Sequence, residues 1–469
     1  MITDIISILN GLLWGNILVY LLVGTGLFFT LRLGFIQFRN FRHGIQILRL
    51  SQSSESGLSS IQVFFTSMAA RVGTGNMAGV AVAIVSGGPG AIFWMWITAL
   101  IGMATAIIES TLAQVYKVKD KTSKEFIGGP AYYMEQGLGM RWMGVLFSIF
   151  LIIAFGLVFI AVQANTITDS LKQVVSWNEV AIGMVLVLMT SLVIVGGIRR
   201  VAQVATKVVP IMAGLYIFIA LVVVIINISE LPSVLTLIVK SAFGWHEAAS
   251  GVLGYSVAQA MQVGVARGLF SNEAGMGSAA NIAASAAPNP NHPASQGFVQ
   301  MIGVFFDTIV LCTATAAIVL LTRSYENPGN LNGVSLLQSA LANEIGDWSV
   351  GLVSAAIFLF CFTTIIANYS YAESNVLFLS RGSRTVLLPF RMAVLGMVMF
   401  GSVAKLQLVW DMADVSMGLM ALVNLLAILM LSGIAIPVIQ DYNKQLKEGK
   451  MPKFQAKDFP KLKNKTQVW

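Results

Sequence analysis

The stretch Ala69–Gly79, AARVGTGNMAG, sets an arginine, three glycines, a threonine and an asparagine inside a segment, 60–86, that is otherwise apolar enough to cross a membrane. In hydrocarbon an unpaired backbone group finds no water, so a helix unwinds there only where protein or a cavity supplies partners. Gly73 and Gly75 disfavour helix, and the spacing predicts a break over Gly73-Thr74-Gly75-Asn76. A half-helix starting near Asn76 presents free N–H groups and a positive dipole end, which suit a carboxylate. Carbonyls ending the first half-helix, near Ala69 and Val72, suit a cation. The rival reading is close helix packing, for which small residues are common. A dinucleotide-binding loop is excluded, because the spacing G-x-G-x-x-x-G departs from that fingerprint and no strand precedes it.

Composition agrees with a membrane setting. Of 469 residues 56% are hydrophobic and 11% charged, against about 25% charged in soluble domains, and the mean hydropathy is +0.79. Apolar runs of about 20 residues or more, the length that crosses ~30 Å of hydrocarbon, predict helices and not barrel strands. Eleven spans are expected, at 14–33, 60–86, 91–117, 142–173, 179–196, 203–228, 252–285, 297–322, 348–380, 385–405 and 415–439. Most of the 29 Lys and Arg fall in 32–49, 117–141, 199–207, 381–391 and 444–465, which lie on one and the same side of such a chain. That bias predicts an outer N-terminus and a cytoplasmic C-terminus, and it explains the net charge of +8 without nucleic acid. MITDIISILN lacks a basic n-region, so the first span is expected to be a retained helix. Cys312 and Cys361 lie within spans and read as small apolar residues, with no disulfide or metal cluster.

A second polar patch, GVARGLFSNEAGMGSAA around Arg267, aligns weakly with MAARVGTGNMAGVAVA around Arg71. Taken as the first members of two halves, they give five spans each, entering the membrane from opposite sides because five is odd. Inverted five-helix repeats that each open with a Gly-interrupted helix point to a secondary transporter with a midplane site. The expected units are 1–59, an extra helix plus an amphipathic surface segment (GFIQFRNFRHGIQILRL); 60–229 and 250–440, the two repeats; and 441–469, a basic tail lying on the membrane surface. The loop 118–140 is expected to be partly ordered, and Val334–Ile345 to be either a short surface helix or lid, or a solvated connector.

Several polar side chains within spans are candidates. In the second patch Glu273 is costly at this depth and needs a cavity or a partner, with Arg71 and Arg267 available; Ser271 and Asn272 accompany it. Gln163 has both an acceptor for an ammonium and a donor for a carboxylate, though it also suits a helix bridge. Thr363 and Thr364, with the Phe360 carbonyl, offer oxygens to a hard cation, and the competing fate is bonding back to their own helix. Asp307 reads as an ion or proton group or as structural. Glu109 and Glu373 are expected to pair with basic residues of inner loops. Asn165 and Asn368 complete the set. There is no P-loop, so ATP-driven transport is not expected, and no nucleophile–base arrangement suggests an enzyme.

The segments RVGTGNMAGVAVAI, GGPGAIFWMW, GGPAYYME and GLFSNEAGMGSA, in this order along nearly the whole chain, resemble those of the alanine or glycine:cation symporters, also called sodium:alanine symporters. The resemblance implies a leucine-transporter-like, all-α membrane protein with two discontinuous helices, cotransporting sodium with alanine or glycine in a prokaryotic cell membrane. It implies an amino-acid site between the unwound second and seventh spans, Gln163 and Thr363. It further implies a sodium site of the Ala69, Val72 and Phe360 carbonyls with the Thr363 and Thr364 hydroxyls. Arg71 departs from the wider superfamily, where members with a second sodium carry a small residue. The expectation is therefore a symporter in which Thr74, Gly75 and Asn76 bind the carboxylate, Gln163 orients the zwitterion, and Phe270 with neighbouring apolar residues limits side-chain size, with Ser271 and Thr363 also lining the amino-acid site. Sodium is the expected coupling ion, alanine or glycine the substrate and the lipid bilayer the surroundings, with no cofactor, nucleic acid or ATP. Proton coupling is the alternative, and an ion channel the more distant one.

Overall fold

The computed structural model describes residues 2–51, 57–120, 125–194, 197–245, 256–326, 328–329, 331–462 and 465–469. Among these the chain is helical apart from one small hairpin, Val118–Lys119 against Phe126–Ile127, in the loop expected to be partly ordered. The helices used below are α1 (Ile6–Arg32), α2 (Phe41–Arg49), α3 (Ser60–Arg71), α4 (Gly75–Gly87), α5 (Gly90–Val115), α6 (Pro130–Leu138), α7 (Arg141–Leu171), α8 (Glu179–Ile194), α9 (Ile198–Ile226), α10 (Leu231–Ala242), α11 (Val257–Asn272), α12 (Ser278–Ala284), α13 (Ala294–Leu321), α14 (Gly333–Ile345), α15 (Trp348–Leu379), α16 (Leu387–Val403), α17 (Leu406–Met430) and α18 (Ser432–Lys447). Seven of them, α1, α5, α7, α9, α13, α15 and α17, are long and apolar enough to cross a bilayer, and α3 with α4 makes an eighth span bent by 53°.

The expected boundaries shift in three places. Helix begins well ahead of residue 14, at Ile2, and the last expected span starts at Leu406 and divides at Leu431 into α17 and α18. The seventh span is two short helices, α11 and α12, with 246–255 outside the described residues. α10 had not been anticipated, because Lys240 and flanking polar residues masked it as a loop.

Local chemistry starts these elements. Ser59 opens α3 with a reciprocal capping box: its hydroxyl accepts from Gln62 N (3.3 Å) while Gln62 Oε1 accepts from Ser59 N (3.0 Å). Ser256 opens α11 by accepting from Gln259 N (3.0 Å). With no hydrophobic force between helices in lipid, close approach over small residues holds them together. A Cβ added at Gly264 of α11 would stand 2.4 Å from the Ala91 carbonyl of α5, and one at Gly401 of α16 2.2 Å from the Ala161 carbonyl of α7. The second broken helix thus lies against α5 through α11, while α7 is packed by α16 and α15.

Two loop segments are more ordered than a surface role requires. α14 buries Val334, Leu337 and Gln338, and Gln338 Nε2 donates to Ser170 Oγ (3.0 Å) and Ser354 Oγ (2.7 Å), so it is a fixed cover and not a solvated connector. The tail, expected on the membrane surface, folds against the protein: Leu462 is buried, Phe454 N donates to Asn291 O (3.1 Å), and Trp469 Nε1 to Gln114 O (2.7 Å). The tail's aromatic set packs together, Phe454 on Phe459 and Trp469, and Trp469 reaches buried Lys117, whose Nζ lies 4.8 Å from the Trp469 ring and 4.2 Å from Phe126.

Candidate functional site

The first break is held by side chains from three helices. Val72 N closes the end of α3 on Met68 O (2.7 Å). Gly73 N then donates to Asn76 Oδ1 (3.1 Å), and Thr74 donates from both N (3.0 Å) and Oγ1 (2.8 Å) to Gln163 Oε1 of α7. Thr74 N, one of the backbone donors expected to face a carboxylate, is therefore occupied by an acceptor oxygen of the protein, as is the neighbouring Gly73 N. α4 opens with a wide π-helical turn, Gly75–Gly79, a form common at functional sites.

On the other side of Gly73, Thr364 Oγ1 of α15 lies 2.9 Å from Ala69 O, 3.2 Å from Val72 O and 3.0 Å from Phe360 O. One hydroxyl has one proton to donate, so four oxygens converge with a single hydrogen among them. Thr363 Oγ1 bonds its own helix, at Phe360 O (2.9 Å). A Cβ at Gly73 would fall 2.4 Å from Thr364 Oγ1 and 2.7 Å from Gln163 Oε1, so this residue fills the gap between the two oxygen clusters.

The second break follows α11. Glu273 takes a left-handed backbone (φ 60°), as do Gly275 (φ 109°) and Gly277 (φ 78°), a path in which only the glycines are free of Cβ strain. Asn272 Oδ1 accepts from Ala274 N (3.0 Å), and Asn424 of α17 donates to Gly275 O (2.9 Å) and to Glu109. Glu109 is thus held by an asparagine and not by an inner-loop cation, because it lies deep beside the break. Glu273 is bonded by Ser278 (2.6 Å), and Arg267, one of its two expected partners, pairs with Asp414 instead. Glu373 does face a basic residue, Arg391, at 3.8 Å.

Asn76 joins the two breaks. Its Nδ2 donates to Ser271 Oγ (3.0 Å) and Asp307 Oδ1 (2.7 Å), while Ser271 (2.7 Å) and Thr308 (2.8 Å) both donate to Asp307 Oδ2. Phe270 closes the other face of Gly75, where a Cβ would sit 3.0 Å from its ring. Thr74, Gly75, Asn76, Gln163, Phe270 and Ser271 are therefore linked in one cluster of contacts, and Ala69, Val72, Phe360 and Thr364 in an adjacent one.

The chain matches the sodium:alanine symporter family over residues 1–456. It belongs to that family. The amino-acid carrier protein AlsT of Bacillus subtilis (strain 168) is 48% identical over 99% of this chain and 97% of its own, and the probable sodium/glutamine symporter GlnT of the same organism is 48% identical over 99% and 95%. A solved Na+-coupled sialic acid symporter, in a substrate-bound outward-open state, superposes with a TM-score of 0.53 at 14% identity, covering 91% of this chain and 93% of that one, which is a likeness of fold. As a member of a symporter family with several apolar spans, the chain is a multi-pass membrane transporter and not an enzyme.

Sequence reasoning left two residues of this symporter's site unplaced. Asp307 sits inside a π-helical stretch of α13, Phe305–Cys312, and the three donors around it come from three different elements, so its distance from Asn76 in sequence concealed the contact. Arg71 is 2% exposed, and its Nε, Nη1 and Nη2 have no hydrogen-bond partner among the described residues. Its guanidinium is accommodated by Gly303, where a Cβ would lie 2.3 Å from Nη1. Arg71 therefore points to Gly303 of α13.

Proposed function

We propose that this chain is a secondary active symporter that imports a small neutral amino acid, alanine or glycine, with sodium by alternating access. The observation that carries the reading is the Thr364 hydroxyl in contact with the Ala69, Val72 and Phe360 carbonyls, one residue from the backbone engaged by Gln163. Hard cations prefer such oxygen sets. Sodium takes these oxygens with Thr363, and the amino-acid carboxylate takes the donors of Thr74 and the following residues as Gln163 turns to the ammonium. Phe270 and Ser271 bound the side chain. The overall arrangement in this reading is leucine-transporter-like, eleven spans with two inverted five-helix repeats after the first, an outer N-terminus and a cytoplasmic C-terminus in the cell membrane.

Uptake of labelled alanine, glycine and glutamine into proteoliposomes under imposed sodium or proton gradients tests it; glutamine is included because GlnT is named for it. Sodium-driven alanine or glycine uptake is expected, and indifference to both gradients overturns symport. Thr364→Ala should raise the sodium concentration for half-maximal uptake by roughly tenfold to a hundredfold, the worth of a buried bond to a charged group. Gln163→Ala should weaken alanine binding first. Proton coupling is the second reading, and the fully buried Asp307 with its three donors favours it; uptake driven by a proton gradient without sodium, lost in Asp307→Asn, would establish it.

A further inference from the structure

The docked tail has no part in the site above, yet it lies over the one place where the two broken helices are joined at their ends. Residues 451–456 run without helix, with Pro452, Phe454 and Ala456 buried and Met451, Lys453 and Gln455 exposed, the alternation of an extended strap that lays one face on the protein. Three contacts fasten it. Lys453 N donates to Gln445 Oε1 of α18 (2.9 Å), and Gln445 Nε2 donates back to Lys453 O (3.0 Å). Phe454 packs on His292 (5.2 Å between centroids) and on Trp469 (5.4 Å). Trp469 in turn covers the end of α5, donating to Gln114 O.

Beneath the strap is a seam. Leu58, ahead of α3, and Ala286, after α12, pair as parallel backbone through two bonds of 2.9 Å, and Gln296 Nε2 donates to Ser60 Oγ at the start of α3 (2.8 Å). From α5, Gln114 Nε2 donates to Ala283 O (2.5 Å) and Lys117 Nζ to Ala286 O (2.9 Å) and Gln114 Oε1 (2.8 Å). The Lys117 ammonium is 1% exposed, sealed between the rings of Phe126 and Trp469. Charge-assisted bonds of this kind are strong while dry, and admitted water competes for both partners. The broken helices can open this face only if the seam yields.

The outer side of the strap has a different character. Lys453, Lys457, Lys461 and Lys465 are exposed and in no ion pair among the described residues. An anionic phospholipid surface attracts such a basic face. Docking and adsorption therefore compete for one segment. We propose that residues 453–469 are a strap that, when docked, holds the seam shut and slows the opening of this face, and that anionic phospholipid releases it by drawing off its lysines. This rests on the alternating-access reading with a cytoplasmic C-terminus given above.

The test follows amide hydrogen exchange at 57–60 and 283–288 by mass spectrometry, with the full chain in nanodiscs of phosphatidylcholine alone or mixed equally with phosphatidylglycerol. In phosphatidylcholine, Trp469→Ala should speed exchange at the seam at least fivefold, and Trp469→Phe, which keeps a ring over Lys117, about twofold. Phe454→Ala should act in the same direction, and serves if Trp469→Ala does not fold. Phosphatidylglycerol should speed the parent's seam about threefold, but not that of a variant carrying Lys453→Gln, Lys457→Gln, Lys461→Gln and Lys465→Gln together. Alanine counterflow in proteoliposomes should rise about threefold in Trp469→Ala as the seam loosens. A seam unchanged in the aromatic variants overturns the proposal, as does equal acceleration in α14, which would mean general loosening. An equal response of the lysine variant to phosphatidylglycerol overturns the lipid's role, and unchanged counterflow beside a loosened seam removes the seam from the transport motion. Absence of sodium-driven alanine or glycine uptake in the parent is a separate result, and it defeats the symport reading itself.

Discussion

Gly73 decides how closely the two oxygen clusters can be coupled. Its missing side chain lets Thr364 Oγ1 and Gln163 Oε1 approach the same backbone atom, 2.4 and 2.7 Å from where a Cβ would be. Gly73→Ala must push both away, an overpacking that costs typically 1–3 kcal/mol. Half-saturating sodium and alanine concentrations should therefore both rise, by about fivefold or more, whereas Gly24→Ala, with nothing within 4 Å of the new methyl, should leave both unchanged. Proteoliposome uptake of the two variants checks this, and a Gly73→Ala change confined to one ligand would show that the residue does not join the sites. At this scale the sequence exposed most of the cluster, because glycine, asparagine and threonine are conspicuous in an apolar span. The partners of Arg267 and Glu109 were misjudged for a common reason: a charge in a span needs a partner, but the partner's identity depends on helix packing that spacing along one chain does not encode. Asp414, which pairs with Arg267, lies 147 positions away.

Among the elements, the breaks and the long spans were legible from hydropathy and glycine punctuation, while features made by tertiary contact were not. α10 and the division of α17 from α18 fall in this class, as does the docked tail. Lysines spaced along 444–465 have the composition of a surface segment, and only the aromatic residues Phe454, Phe459 and Trp469 hint otherwise. Their dock lies where the segment before α3 meets the segment after α12: Lys117 Nζ donates to Ala286 O (2.9 Å), and Leu58 is bridged to the same segment through Leu58 N to Ser285 O and Ala287 N to Leu58 O, both 2.9 Å. Trp469→Ala removes one hydrogen bond and a cation–π contact, together about 1–3 kcal/mol. Residues 453–461 should then be cut by trypsin at least fivefold faster than in the parent, with Trp142→Ala, at an exposed apolar position, as the control. Equal cleavage rates would mean that the dock contributes nothing to holding the tail.

On the proposed reading, ion and substrate share the end of α3 and its break, with α15 on the ion's side and α7 on the substrate's, so neither ligand is held by a body independent of the other's. A cation that binds the folded protein stabilises it by RT ln(1 + [L]/Kd), about 2.7 kcal/mol at one hundred times Kd. Coupling between the two ligands is reciprocal: whatever factor sodium contributes to alanine affinity, alanine returns to sodium affinity, commonly 5–150-fold for 1–3 kcal/mol. Thermal unfolding of the purified protein in potassium, in sodium, in potassium with alanine, and in sodium with alanine separates these contributions. Sodium should raise the midpoint over potassium at equal ionic strength, and the shift with both ligands should exceed the sum of the single shifts. Thr364→Ala should lose the sodium shift, and with it the excess, while retaining whatever shift alanine gives in potassium. A parent whose two shifts simply add would show that Gly73 brings the sites together in space without linking them in energy, and the alternating-access scheme would then need its coupling from another part of the chain.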